Sequence, residues 1–182
     1  MGNNILVINS SPRKGGNSET LCDRLIEGAQ ANGATCVKVS LREKKINCCI
    51  ACDLCRSNPW TCSIDDDMPE IWEKMKEADV IVLSTPSYFF SVSAQLKMTI
   101  DRFRPVYKSM PGKKFAFIAT VSGDEPELLE KTFGAMNGLL DCFPDASEEG
   151  RVYGNSAWLP GDSRNTKAYE EAYELGKRLA SI

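Results

Sequence analysis

Short apolar runs alternate along this chain with stretches whose apolar residues recur every third or fourth position. Residues 5–8 (Ile-Leu-Val-Ile) and 80–83 (Val-Ile-Val-Leu) are unbroken. Runs of that length, bounded by turn residues, predict strands buried on both faces. Residues 115–121 make a further buried strand and residues 35–41 an alternating one. A short strand is expected within 150–154, on Arg151, Val152 and Tyr153. Between these runs the period changes. Leu21, Leu25, Ile26 and Ala29 mark one helix, and Met68, Ile71, Trp72 and Met75 mark another over 67–77. Val92, Leu96 and Ile100 mark a third. Residues 127–140 read as helical despite Gly134 and Gly138. A last helix over 164–179 carries Ala168, Ala172, Leu175 and Leu179 on one face. Five strands alternating with five helices predict an α/β fold with a parallel sheet covered on both faces. Residues 1–182 are expected to form one domain, interrupted by an irregular cysteine-rich insertion at about 46–65.

In such sheets ligands bind beyond the carboxyl ends of the strands. Three segments fall there. Residues 10–18 (Ser-Ser-Pro-Arg-Lys-Gly-Gly-Asn-Ser) join a buried strand to a helix start. Their hydroxyls and the free N–H groups of the helix suit a phosphate. The segment is neither G-x-x-x-x-G-K-[ST] nor G-x-G-x-x-G, so a magnesium triphosphate and a dinucleotide are not expected on this helix. The monophosphate of a mononucleotide is. Residues 85–91 offer Pro86, Tyr88, Phe89 and Phe90 for a planar ring, and residues 120–124 offer small residues for a ring edge.

Net charge is −3 over 182 residues. That balance argues against a nucleic-acid partner, which requires clustered positive charge. No apolar run is long enough to span a bilayer and no signal peptide is evident, so a cytoplasmic protein is expected. The chain has no histidine. This removes the usual general base, every Ser–His or Cys–His pair and every histidine-ligated metal site. Thiols, carboxylates or a bound cofactor must carry the chemistry.

Of eight cysteines, five lie between Cys48 and Cys62. Cys49-x2-Cys52-x2-Cys55-x6-Cys62 is compact enough to wrap one [4Fe–4S] cube. Pro59 supplies a turn that returns Cys62, and Cys48 is a spare in an alternative register. Structural zinc prefers two separated pairs and is less favoured. A loop of free thiols is the remaining alternative. Cys22, Cys36 and Cys142 sit among apolar neighbours and are expected in the core.

Residues 9–18, residues 85–97 (Thr-Pro-Ser-Tyr-Phe-Phe-Ser-Val-Ser-Ala-Gln-Leu-Lys) and Asp101-Arg102 resemble the NADPH-dependent FMN reductase family of flavodoxin-like proteins. With the cysteine motif and the downstream Asp65-Asp66-Asp67-Met68, the chain is most similar to its iron–sulfur flavoprotein branch. The resemblance implies a flavodoxin-like three-layer sandwich of strand order 2-1-3-4-5. It implies FMN, with Ser11, Arg13, Asn17 and Ser18 at the phosphate and Pro86, Ser87, Tyr88 and Phe89 along the isoalloxazine ring. Ser122 and Gly123 approach the far edge of the ring. It implies NAD(P)H as a transient co-substrate and assembly into a homodimer or tetramer. A ferredoxin-type protein is a further candidate partner. The family pattern has glycine at the Ser10 position and usually a small residue at the Phe90 position. The function expected is an FMN oxidoreductase or electron-transfer flavoprotein, with a [4Fe–4S] cluster on Cys49, Cys52, Cys55 and Cys62. The alternatives are a cluster-free NAD(P)H-dependent FMN or quinone reductase, and a non-catalytic metal- or thiol-sensing module on the same scaffold.

Overall fold

A computed structural model describes residues 2–182. Five strands form one parallel sheet: β1 (Asn4–Asn9), β2 (Thr35–Ser40), β3 (Val80–Pro86), β4 (Lys114–Thr120) and β5 (Ser147–Gly154), in the order β2-β1-β3-β4-β5. This is the flavodoxin-like order expected from the sequence. Helices α1 (Asn17–Ala31), α3 (Met68–Glu77), α4 (Ala94–Asp101), α5 (Glu130–Leu140) and α6 (Lys167–Leu179) cover it, and a single turn, α2 (Leu54–Ser57), lies in the insertion.

Alternation along the strands divides the core. Leu6 and Ile8 of β1, Ile81 and Leu83 of β3, and Phe115 and Phe117 of β4 face one way. They pack on Met68, Ile71, Trp72 and Met75 of α3, Leu96 of α4, and Phe133 and Met136 of α5. Ile5, Val7, Val80, Val82, Ala116 and Ile118 face the other way, onto Leu21 and Leu25 of α1 and Ala172, Leu175 and Leu179 of α6. Strands buried on both faces must be continuously apolar, which is why these runs were visible.

The helices α1 and α6 lie unusually close. A Cβ at Gly28 would meet the Tyr173 carbonyl oxygen at 2.1 Å, and one at Gly176 would meet that of Leu25 at 2.0 Å. Only glycine permits this approach, which lowers α6 onto the sheet.

Three boundaries and one burial differ from those expected. The strand β5 starts at Ser147, upstream of the expected 150–154, and a bulge shifts its register on β4 between Phe115 and Ala116. The polar sequence Ser-Glu-Glu at its start hid it. The expected helix over 127–140 begins as a 3-10 turn at Pro126–Leu129 before α5. The last helix begins at Lys167, after another 3-10 turn at Asp162–Asn165. Cys22 is buried and Cys36 partly so, but Cys142 is exposed, because it follows the end of α5.

Candidate functional site: a flavin-type cleft and a cysteine loop

The carboxyl ends of β1, β3 and β4 are tied together by buried hydroxyls. Ser10 donates through its amide (2.9 Å) and its hydroxyl (2.8 Å) to the Ser84 carbonyl. The Ser93 hydroxyl lies 2.9 Å from that of Ser10, and the Ser93 amide donates to Thr85 Oγ1 at 2.9 Å. Ser84 donates to the Ser18 carbonyl (3.3 Å), and the Ser18 and Thr120 hydroxyls pair at 2.8 Å. Ser10 stands where the family has glycine, yet its hydroxyl is fully buried and satisfied, so the substitution is accommodated.

The loop after β1 is clamped from below. Glu19 accepts from the Gly15 amide (2.8 Å) and holds Arg42 through both its oxygens, at 3.0 and 3.1 Å. Burial pushes its carboxyl up, but Arg42, the Gly15 amide and Lys38 outweigh that and hold it below the ordinary glutamate value. The charged form is therefore favoured, and the loop is pinned by its own helix. At the helix start, a Cβ on Gly16 would come within 2.8 Å of the Ser11 hydroxyl, so the cradle is closed to any larger residue. No side chain among the described residues caps this start, leaving first-turn N–H groups for an anion.

Ser11, Arg13, Asn17 and Ser18 open into a cleft of about 450 Å3, together with Pro86, Ser87, Tyr88 and Ser122. Eight of the ten residues expected at a flavin thus share one space of ligand size. Phe89 and Gly123 are not among its walls. Gly123 turns its carbonyl to the Ser156 amide (2.7 Å), and a Cβ there would strike Leu128. Lys14 is exposed and lies outside the cleft. Asn17 borders it, but its side-chain amide donates to the carbonyls of Ala157 (3.0 Å) and Leu159 (2.9 Å). Gly16, Thr120 and Val121 lie within the segments expected here without having been singled out, and residues 157–160 are walls that the sequence reading missed. Trp158-Leu159-Pro160, an apolar patch between a strand and a helix at the carboxyl edge, was the available signal.

Tyr88 and Ser91 exchange backbone hydrogen bonds (3.0 and 3.1 Å) around Phe89 and Phe90, whose φ values are +51° and +57°. This is a two-residue turn with both central residues left-handed, a place for Asn-Gly. Two phenylalanines there are strained. Phe89 is 102% exposed, and Phe90 is half exposed beside the Lys131 ammonium. A glycine at the Phe90 position would take this backbone conformation without that strain.

The insertion is staked to the fold by a buried ion pair. The Arg102 guanidinium, 1% exposed, donates to both oxygens of Asp66 (2.7 and 3.0 Å) and to the Asn47 carbonyl (2.8 Å). It also reaches Cys62 Sγ at 3.4 Å. The Asp66 carboxyl is pushed up by burial, but Arg102 and the amides of Asn47 and Met68 hold it below its ordinary value. Cys49, Cys52, Cys55 and Cys62 surround one cavity beside Arg102 and Arg104, and the spare Cys48 is not among its walls. The Cys52 thiol is lowered by the Ser63 hydroxyl and the Leu54 amide. The cavity measures about 30 Å3, room for a water or two. Among the described residues, no three Cys, His, Asp or Glu side chains converge as metal ligands. The donors thus fit an iron–sulfur cluster in kind and number, while the loop would have to open around one. Among the described residues no helix is long and apolar enough to cross a membrane.

The carboxyl edge of the doubly wound sheet thus carries one cleft with hydroxyl-rich walls, uncapped helix N–H groups and the Tyr88 ring beside them. Residues 3–140 match the model of the NADPH-dependent FMN reductase family, and the chain belongs to that family. It is 41% identical over 179 residues to an iron–sulfur flavoprotein of Methanosarcina thermophila, covering 96% of this chain and 92% of that one. It is 34% identical over 189 residues to an iron–sulfur flavoprotein of Methanocaldococcus jannaschii, covering 98% and 96%. Among solved structures, the NAD(P)H:quinone oxidoreductase from Methanothermobacter marburgensis shares the fold, with a TM-score of 0.78 at 18% identity and coverage of 100% and 99%.

Replacing Phe90 by glycine should relieve one left-handed phenylalanine, worth of order 1–3 kcal/mol, against about 1 kcal/mol of added unfolded-chain entropy. The urea midpoint of Phe90→Gly should rise. A lower midpoint would show that the phenylalanine packs better than it strains.

Proposed function

We propose that this protein is an FMN-binding, NAD(P)H-dependent oxidoreductase that passes electrons between its flavin and a [4Fe–4S] cluster on the insertion. The observation that carries the flavin half is the convergence of three separate strand-end segments on one cleft of flavin size. Support for the cluster half is the arrangement of four thiols around one cavity with Cys48 outside it, together with the names of the iron–sulfur relatives.

When bound, FMN supplies hydride and single-electron chemistry. The chain positions it. Ser11, Arg13, Ser18 and the α1 amides hold the phosphate, and Arg13 offsets its charge. Pro86, Ser87 and Tyr88 border the ring, and Ser122 stands at its far edge. No protein acid or base is required, in keeping with a chain that has no histidine. Cys49, Cys52, Cys55 and Cys62 would hold the cluster as thiolates, beside the Arg102 and Arg104 guanidinium groups, which favour negative charge there.

Tyr88, Trp158 and Leu159 are exposed apolar walls of the cleft, and the exposed Phe89 and Phe90 follow Tyr88 directly in the chain. A patch of this kind fits an interface, and a homodimer or a dimer of dimers formed through it belongs to the same reading. So does a one-electron partner of ferredoxin type, which the cysteine loop would serve.

Three measurements test this. Ser18→Ala should lose about 1–3 kcal/mol of FMN affinity, the scale of a hydrogen bond to a charged group. Riboflavin affinity should barely change, and equal losses for both would show that the loop does not hold the phosphate. Protein reconstituted anaerobically should hold about four irons and four sulfides per chain. Serine at Cys49, Cys52, Cys55 or Cys62 should lower that content, while serine at Cys22 should not. Full FMN with no iron would leave the cluster-free reductase. Sedimentation of the FMN-loaded protein should show a dimer or tetramer, and a monomer at micromolar concentration would contradict the interface.

A further inference from the structure

Residues 157–160 line the cofactor cleft, yet they follow β5 and belong to none of the three segments that the sequence assigned to a flavin. Trp158 is 71% exposed and Leu159 60%, which is much apolar surface to leave beside a polar anion cradle. The segment is nonetheless tightly held. The Ala157 amide donates to the Val121 carbonyl (3.1 Å). Asp162 accepts from the amides of Trp158 (3.1 Å) and Leu159 (2.6 Å).

The third fastening is Asn17, the first residue of α1. A side-chain amide has two donor hydrogens, and here they serve the carbonyls of Ala157 and Leu159. Its oxygen accepts from the Ser163 amide at 3.1 Å, and the Ser163 hydroxyl donates to the Asn17 carbonyl at 3.3 Å. An amide engaged in this way has no hydrogen left for a phosphate.

We infer that residues 157–160 are a further ring-facing wall of the cleft, with Trp158 its apolar contact for a planar aromatic ring, and that Asn17 is the positioning residue that latches this wall to the phosphate loop. The inference rests on the flavin reading above and reassigns one residue within it. Phosphate binding then falls to Ser11, Arg13, Ser18 and the helix amides. Asn17 acts on cofactor affinity through the wall, so its effect is on the ring and not on the phosphate.

The test compares FMN and riboflavin binding to the apoprotein, with hydrogen exchange as a readout that needs no flavin. Asn17→Ala should weaken both flavins by the same factor, about tenfold for one or two lost hydrogen bonds. Trp158→Ala, which leaves the latch intact, should also weaken both. In flavin-free Asn17→Ala the Ser163 amide should exchange faster while the β1 amides stay protected. Loss confined to FMN in Asn17→Ala would return the asparagine to the phosphate and overturn the latch. Unchanged exchange at Ser163 would overturn it too. Unchanged affinity for both flavins in Trp158→Ala would overturn the wall. Wild-type protein that binds neither flavin would sink the flavin reading itself and the ring-facing role with it, a result distinct from an FMN-only loss.

Discussion

A hydroxyl buried at the end of a parallel sheet must find a partner or destabilise the fold by about 1–3 kcal/mol. Here Ser10, Ser18, Ser84, Ser93, Thr85 and Thr120 are all buried at that edge. They satisfy one another and the neighbouring backbone across β1, β3, β4 and the starts of α1 and α4. The loops above are therefore tied at their bases to one shared polar layer. This constraint lets three segments, each unremarkable alone, present one cleft.

The sheet was legible because its strands are covered on both faces. Nothing but an unbroken apolar run can occupy β1 or β3, and such runs stand out. The strand β5 lies at an edge, starts with Ser-Glu-Glu and carries a bulge, so only its last residues showed a pattern. That residues at three strand ends would share a cleft was legible, and eight of the ten expected do so. What each side chain does there was not. Asn17 has the residue type of a phosphate ligand, but its donors are committed by residues about 140 positions away, which no local pattern reveals. Phe89 reads as a ring contact by its neighbours and points into solvent because of a backbone conformation that the sequence gives no reason to expect.

Strain and rigidity are distributed unevenly over the site. The side formed by the loop before α1 is held by Glu19, Arg42 and the hydroxyl layer, all at ordinary backbone angles. The opposite side carries two left-handed phenylalanines and an apolar rim. Local strain of this sort persists only where surrounding structure enforces it. Here the enforcement comes from the paired backbones of Tyr88 and Ser91 and from the Ser87 hydroxyl against Thr132 at 2.8 Å. One side of the cleft is thus held by buried hydroxyls and an ion pair, while the other leaves apolar side chains exposed.

The Arg102–Asp66 pair gives the cysteine loop a property that small metal domains lack. In a zinc finger the ion is the core, and removing it unfolds the chain. Here the loop is fastened to the segment just after α4 by a guanidinium–carboxylate fork, by the Asn47 carbonyl and by the Trp60 amide on the Pro105 carbonyl (3.1 Å), none of which involves a metal. The attachment of the insertion to the fold therefore depends on no metal, and the four thiols stand on a loop already anchored at Asn47, Trp60 and Asp66.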